Sequence, residues 1–130
     1  MTGTVLVVDD SPVIRSQVTK VLETAGFAVV TAENGAEAVD TISEMGAQLG
    51  CVFCDLRMPK MDGLEVLRWK AESQWRSIPI VMLTTEGSPG SIAEARALGA
   101  KGWVVKPFNE AMLVGCAKKL CAPSLFRQQA

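Results

Sequence analysis

The stretch Cys51-Val52-Phe53-Cys54-Asp55-Leu56-Arg57-Met58-Pro59 decides how the chain is read. An apolar run delivers a single aspartate to its end, and a proline-containing loop follows at once. A short apolar run bounded by loop chemistry is the pattern of a strand buried on both faces, as in a parallel sheet. In open α/β sheets ligands gather where such strands end. The meaning of Asp55 therefore depends on what the other strand ends supply.

Four further apolar, β-branched runs, over about 4–8, 28–32, 79–83 and 101–105, alternate with helix-like segments; with 50–54 they predict five strands and five helices. Strand–helix alternation with short connections implies a parallel sheet, right-handed crossovers and helices on both faces. The helix starts carry recognisable chemistry. Ser11-Pro12 reads as an N-cap followed by proline at the first helical position, after which Ile14, Val18, Val21 and Leu22 recur at helical spacing. Asn34-x-x-Glu37 and Asp62-x-x-Glu65 resemble capping boxes for the second and third helices, and Gly46 is placed to close the second. The fourth helix has two credible starts, Ser88-Pro89 and Ser91-x-x-Glu94, with Gly87 and Gly90 predicting mobility there. The fifth is predicted from about Asn109 to Leu120, leaving a domain over 1–121 and a tail or linker over 122–130.

A chain of 130 residues makes one domain whose core needs no covalent staple. No apolar run approaches the roughly 20 residues that span a bilayer, and the start lacks the features of a signal peptide, so a cytoplasmic, non-membrane protein is expected. Net charge is −1, and the basic residues are scattered apart from Lys118-Lys119, which argues against a nucleic-acid partner. There is no histidine, which removes imidazole catalysis, imidazole metal ligands and phosphohistidine from the chain's own chemistry. Cys51-x-x-Cys54 formally matches a redox or zinc half-motif, but residues three apart on a strand point to opposite faces; these thiols, with Cys116 and Cys121, read as small buried apolar residues.

Asp9-Asp10 follow the first strand, Asp55 ends the third, Thr84 the fourth, and Lys106 the fifth, before Pro107. A parallel sheet brings all of them to one edge. Three crowded carboxylates repel and raise one another's pKa unless a divalent cation compensates them, and an all-oxygen ligand set favours Mg²⁺. A hydroxyl and a lysine beside them complete a cradle for a phosphoryl group, with Asp55 as nucleophile. Singly, each residue has an ordinary reading: helix cap, turn residue, surface lysine, loop starter.

At these positions the sequence resembles the receiver domain of two-component response regulators. The matching motifs are Val7-Val8-Asp9-Asp10-Ser11, Asp55-Leu56-Arg57-Met58-Pro59-x-Met61-Asp62-Gly63, Leu83-Thr84-Thr85-Glu86 and Lys106-Pro107-Phe108, within roughly residues 4 to 121. The resemblance implies a flavodoxin-like doubly wound sheet in the order 2-1-3-4-5. It implies Asp55 as phosphoacceptor, and Asp10, Asp55 and the Arg57 carbonyl as Mg²⁺ ligands, with Asp9 acting partly through water. Thr84 and Lys106 would bind the phosphoryl group, and Lys106-Pro107 would be cis. A histidine kinase is the implied donor and a protein target the implied output, through the fourth helix, fifth strand and fifth helix. A chemotaxis regulator acting on a flagellar motor switch is the leading subtype. The alternatives are an unphosphorylated scaffold or dimerisation module, and an aspartate-nucleophile phosphatase, whose Asp-x-Asp pattern after the first strand Asp9-Asp10 does not match.

Trp103 stands where the family usually has tyrosine or phenylalanine, the residue that turns inward as the threonine moves. Two readings stand for it: a switch whose inward rotation is restricted by the larger ring, or an exposed interface aromatic. Arg57, Thr85 and Glu86 border the mouth of the site and are expected to tune the lifetime of the phosphoryl group; a solvated surface pair is the plainer reading of Arg57 and Glu86.

Overall fold

In the computed structural model, residues 3–85 and 89–121 are described. The chain runs β1 Thr4–Val8, α1 Pro12–Thr24, β2 Val29–Ala32, α2 Gly35–Met45, β3 Leu49–Cys54, α3 Gly63–Ala71, β4 Ile80–Thr84, α4 Pro89–Ala97, β5 Gly102–Val105 and α5 Glu110–Leu120. All strand pairings are parallel, in the order β2-β1-β3-β4-β5. The sheet order reverses direction at β1 and β3, where a doubly wound sheet opens its ligand crevice.

Strand alternation divides the core into two layers. Val5, Val7, Cys51, Phe53, Val81, Leu83 and Val104 face α1 and α5, packing on Val18, Leu22, Leu113 and Ala117. Leu6, Val8, Val52, Cys54, Ile80 and Met82 face α2, α3 and α4, packing on Ala38, Ile42, Val66, Leu67 and Ala95. Every residue of β3 and β4 is buried, as a central strand covered on both faces requires. Cys51 and Cys54 fall in opposite layers, so their thiols diverge as expected.

The starts of α1 and α3 behave as their sequences predict. Ser11 caps α1, accepting from the Ile14 N–H, with Pro12 in the first turn. Asp62 and Glu65 form a complete capping box. At α2 only half of the box forms: Asn34 accepts from the Glu37 N–H, while the Glu37 carboxylate accepts from the N–H of Glu33 instead. Gly46 closes α2 at φ 52°. α4 begins at Pro89 and carries Ser91 and Glu94 inside it, so Ser91 is not its N-cap. The other proposed cap, Ser88, lies outside the described residues, as does Gly87 and the tail over 122–130.

Candidate functional site

The strand register brings the site residues together. Val8 pairs with both Ala32 and Cys54, and the Asp55 N–H donates to the Val8 carbonyl at 2.8 Å, so Asp9 and Asp55 leave adjacent strands at the same level. Thr84 pairs with Val105, and the Lys106 N–H donates to the Thr84 carbonyl at 2.8 Å, which sets Lys106 beside the end of β4. The Lys106–Pro107 peptide is cis, as the resemblance implied.

Asp9, Asp10 and Asp55 each offer a carboxylate oxygen, and these oxygens lie within 4.8 Å of one another. Asp9 and Asp55 are buried and Asp10 is exposed. The Lys106 ammonium donates to Asp9 Oδ2 at 2.7 Å and lies 3.5 Å from Asp55 Oδ2. It thus partly neutralises both buried acids, and leans towards Asp9. Burial pushes the Asp55 carboxyl above its usual range, with repulsion from Asp9 second; Lys106 and the Arg57 main-chain N–H oppose the rise. Crowding among carboxylates is therefore real at Asp55, but desolvation is the larger cause. The donor set, oxygens only and clustered at the rim of the crevice, fits a hard divalent cation such as Mg²⁺.

The β3–α3 loop that follows Asp55 is tightly built. Lys60 adopts φ 69°, a left-handed conformation, and the Met61 N–H donates to the Pro59 carbonyl at 2.7 Å across it. The Met61 carbonyl accepts from the Gly35 N–H at 3.0 Å, which moors the loop to the start of α2. A Cβ on Gly35 would collide with that carbonyl oxygen. At the loop's far end the Gly63 N–H donates to the Leu56 carbonyl, and a Cβ there would come 2.5 Å from the Asp55 carbonyl oxygen.

Thr84 is buried at the end of β4, and Thr85 and the Arg57 side chain are exposed. Glu86 lies outside the described residues, so its expected position opposite Arg57 is not described. Trp103 pairs with Met82 and packs against the α2–α4 layer. Its indole N–H is buried without a hydrogen-bond partner among the described residues. The ring in this structure is therefore half-buried and turned to the core, rather than a fully exposed interface aromatic.

Several contacts escaped the sequence. The Arg15 guanidinium donates to the Asp9 main-chain carbonyl at 2.7 Å. Lys70 is buried with its ammonium on the Arg76 carbonyl at 2.8 Å. The reduced thiols of Cys51 and Cys121 lie 3.3 Å apart beneath the sheet. A cation four residues into the helix that follows Asp9-Asp10 was the available signal for Arg15; no local pattern marks the other two.

An open parallel sheet whose carboxyl edge gathers three aspartates, a buried threonine and a lysine has the donor set to take a hard cation and an anionic group side by side. Residues 5–118 match the response regulator receiver domain, and the chain belongs to that family. It is 34% identical over 110 residues to the chemotaxis protein CheY1 of Helicobacter pylori, covering 83% of this chain and 88% of that protein. It is 33% identical over 108 residues to the transcriptional regulatory protein FixJ of Bradyrhizobium diazoefficiens, covering 83% of this chain and 51% of that protein. Among solved structures it resembles Vibrio cholerae CheY4, with a TM-score of 0.83 and 40% identity, over 92% of this chain and 99% of that one. The chain is a receiver domain of phosphorelay signalling.

Proposed function

We propose that Asp55 accepts a phosphoryl group from the phosphohistidine of a histidine kinase. The observation that carries this is the convergence of Asp9, Asp10, Asp55 and Lys106 at the carboxyl ends of β1, β3 and β5. A carboxylate oxygen of Asp55 attacks phosphorus, the phosphorus–nitrogen bond breaks, and the imidazole leaves the kinase-bound phosphate; an acyl phosphate remains on Asp55. Lys106 is positioned to move from Asp9 to a phosphoryl oxygen, and the Thr84 hydroxyl binds another. Asp9, Asp10, Asp55 and the Arg57 carbonyl would hold Mg²⁺. When bound, the ion neutralises the carboxylates and draws charge from the phosphoryl oxygens. The donor histidine comes from the partner, since this chain has none.

The domain, residues 1–121, acts in the cytoplasm and signals through α4, β5 and α5. Phosphorylation draws Thr84 towards the pocket, and Trp103, already turned to the core, follows it. A chemotaxis role is supported by chemotaxis proteins among the relatives, at 34% identity for the Helicobacter pylori protein and 36% for a Campylobacter jejuni homologue. The flagellar motor switch is the corresponding target. Arg57, Thr85 and Glu86 set how fast water reaches the acyl phosphate.

The chain incubated with phosphoramidate and Mg²⁺ gains the mass of one phosphoryl group, and Asp55→Asn gains none. Label retained in Asp55→Asn overturns the assignment. Beryllofluoride with Mg²⁺ shifts amide resonances across α4, β5 and α5; shifts confined to the pocket count against coupling to that surface. Phosphoprotein decay altered in Arg57→Ala or Glu86→Ala supports the tuning role, and decay unchanged in both removes it.

A further inference from the structure

We propose that Arg15 is a positioning residue for the metal site, acting through the main chain of Asp9 to aim Asp10. The inference rests on the reading of Asp9, Asp10 and Asp55 as the Mg²⁺ site. Every polar group of Asp9 is engaged. Its N–H donates to the Ala32 carbonyl at 3.1 Å, Oδ1 accepts from the Ser11 N–H at 2.9 Å, Oδ2 accepts from Lys106 at 2.7 Å, and its carbonyl accepts from Arg15 at 2.7 Å. Asp10 is the opposite case: exposed, and without a hydrogen bond among the described residues, although its carboxylate is one of the three that converge.

The Asp9 carbonyl belongs to the same rigid plane as the Asp10 N–H. Holding that oxygen fixes the orientation of the peptide that leads into Asp10, and with it the direction in which the Asp10 side chain leaves the backbone. The sheet does not supply this restraint, because Asp9 lies one residue beyond the end of β1. Arg15 reaches back six positions from α1, whose N-cap Ser11 ties down the other side of the same three-residue loop, 9–11. The loop is thereby clamped from both ends while the Asp10 carboxylate is left free of competing donors. Outer groups that orient metal ligands typically influence affinity by 10- to 100-fold.

Charge and position make opposite predictions, which is what makes the proposal testable. As a cation near three carboxylates, Arg15 disfavours a second cation, so charge alone predicts that removing it tightens Mg²⁺ binding. As a clamp, its loss loosens Asp10 and weakens binding. Mg²⁺ affinity of the unphosphorylated chain, followed by calorimetry and by the amide resonances of residues 9–11 and 55–57, separates the two. Arg15→Gln weakens Mg²⁺ about tenfold, while Arg15→Lys, which keeps one donor for the single carbonyl acceptor, recovers most of the loss. Arg15→Gln binding Mg²⁺ as tightly as the parent or more tightly overturns the proposal, and so does Arg15→Lys as weak as Arg15→Gln. A parent chain that binds no Mg²⁺ refutes the metal-site reading itself, a result distinct from either. Unshifted resonances outside the β1–α1 loop establish that the variants retain the fold.

Discussion

Asp55 sits between opposing influences: burial and Asp9 disfavour its charge, and Lys106 favours it. Its raised pKa means that the folded chain holds this proton more tightly than the unfolded chain does. Stability therefore falls as pH rises from the ordinary carboxylate value to the raised one, and the penalty is fully present above that window. Asp55→Asn removes the charge without changing the shape. It should raise the thermal midpoint in metal-free buffer at neutral pH, with the gain shrinking as pH falls through the window, as thermal unfolding between pH 4 and 8 checks. Lys70 titrates with the opposite sign. Desolvation, then Lys101, lowers its pKa, so the unfolded chain binds the proton more tightly and stability rises with pH from the lowered value to the ordinary one. Lys70→Met should abolish that rise, measured by urea unfolding across the alkaline range. The first effect belongs to function, since a site built to receive a phosphoryl group and a cation is destabilising when both are absent. The second belongs to packing, for Lys70 lies on the buried side of α3 and serves the Arg76 carbonyl.

At the scale of elements, the β3–α3 loop follows directly on Asp55 and is tied down by the Gly35 N–H on the Met61 carbonyl and the Gly63 N–H on the Leu56 carbonyl. Gly35 at the start of α2 is in contact with the Met61 carbonyl, leaving no room for a methyl group. Gly35→Ala should cost about 1–3 kcal/mol, the usual range for forcing atoms into a packed site. It should also shift the amide resonances of residues 56–63, although residue 35 is remote in sequence from them. Asp62→Ala, which removes the capping box of α3, should cost about 1 kcal/mol by urea unfolding. Both capping signals were legible in the sequence because caps are local: they depend on a side chain reaching three residues along. The Gly35–Met61 contact was not legible, since it joins the first residue of α2 to a loop beyond β3 and no local pattern marks it. The ambiguity at α4 was resolved in favour of a start at Pro89, which places Ser91 within the helix.

Across the whole molecule, the acidic cluster is a binding energy held in reserve. Any ligand that binds only the folded state stabilises it by an amount set by its concentration relative to its dissociation constant, about 2.7 kcal/mol at a hundredfold excess over that constant. Mg²⁺ with beryllofluoride should therefore raise the thermal midpoint of the whole chain. Chelation should reverse the rise, and Asp10→Ala should show little of it. Destabilisation by Mg²⁺ and beryllofluoride would show that they bind the unfolded chain instead. The two core layers make this response global, because β1, β3 and β4 carry the site at one end and the centre of both layers along their length.

The sequence by itself determined the five strands, the parallel doubly wound architecture, the capped helix starts and the identity of the acidic, hydroxyl and lysine residues at the strand ends. These depend on periodicity and short-range chemistry, which a linear reading contains, and on motifs specific enough to name a family. Only the tertiary structure decided how those residues share charge: Lys106 leaning to Asp9, desolvation outweighing repulsion at Asp55, Trp103 turned to the core, and Arg15 holding the Asp9 carbonyl. Burial and hydrogen-bond partnership are properties of surroundings assembled from distant segments. Lys106 meets Asp9 across 97 positions of sequence, and only the register of the sheet sets the 2.7 Å between them.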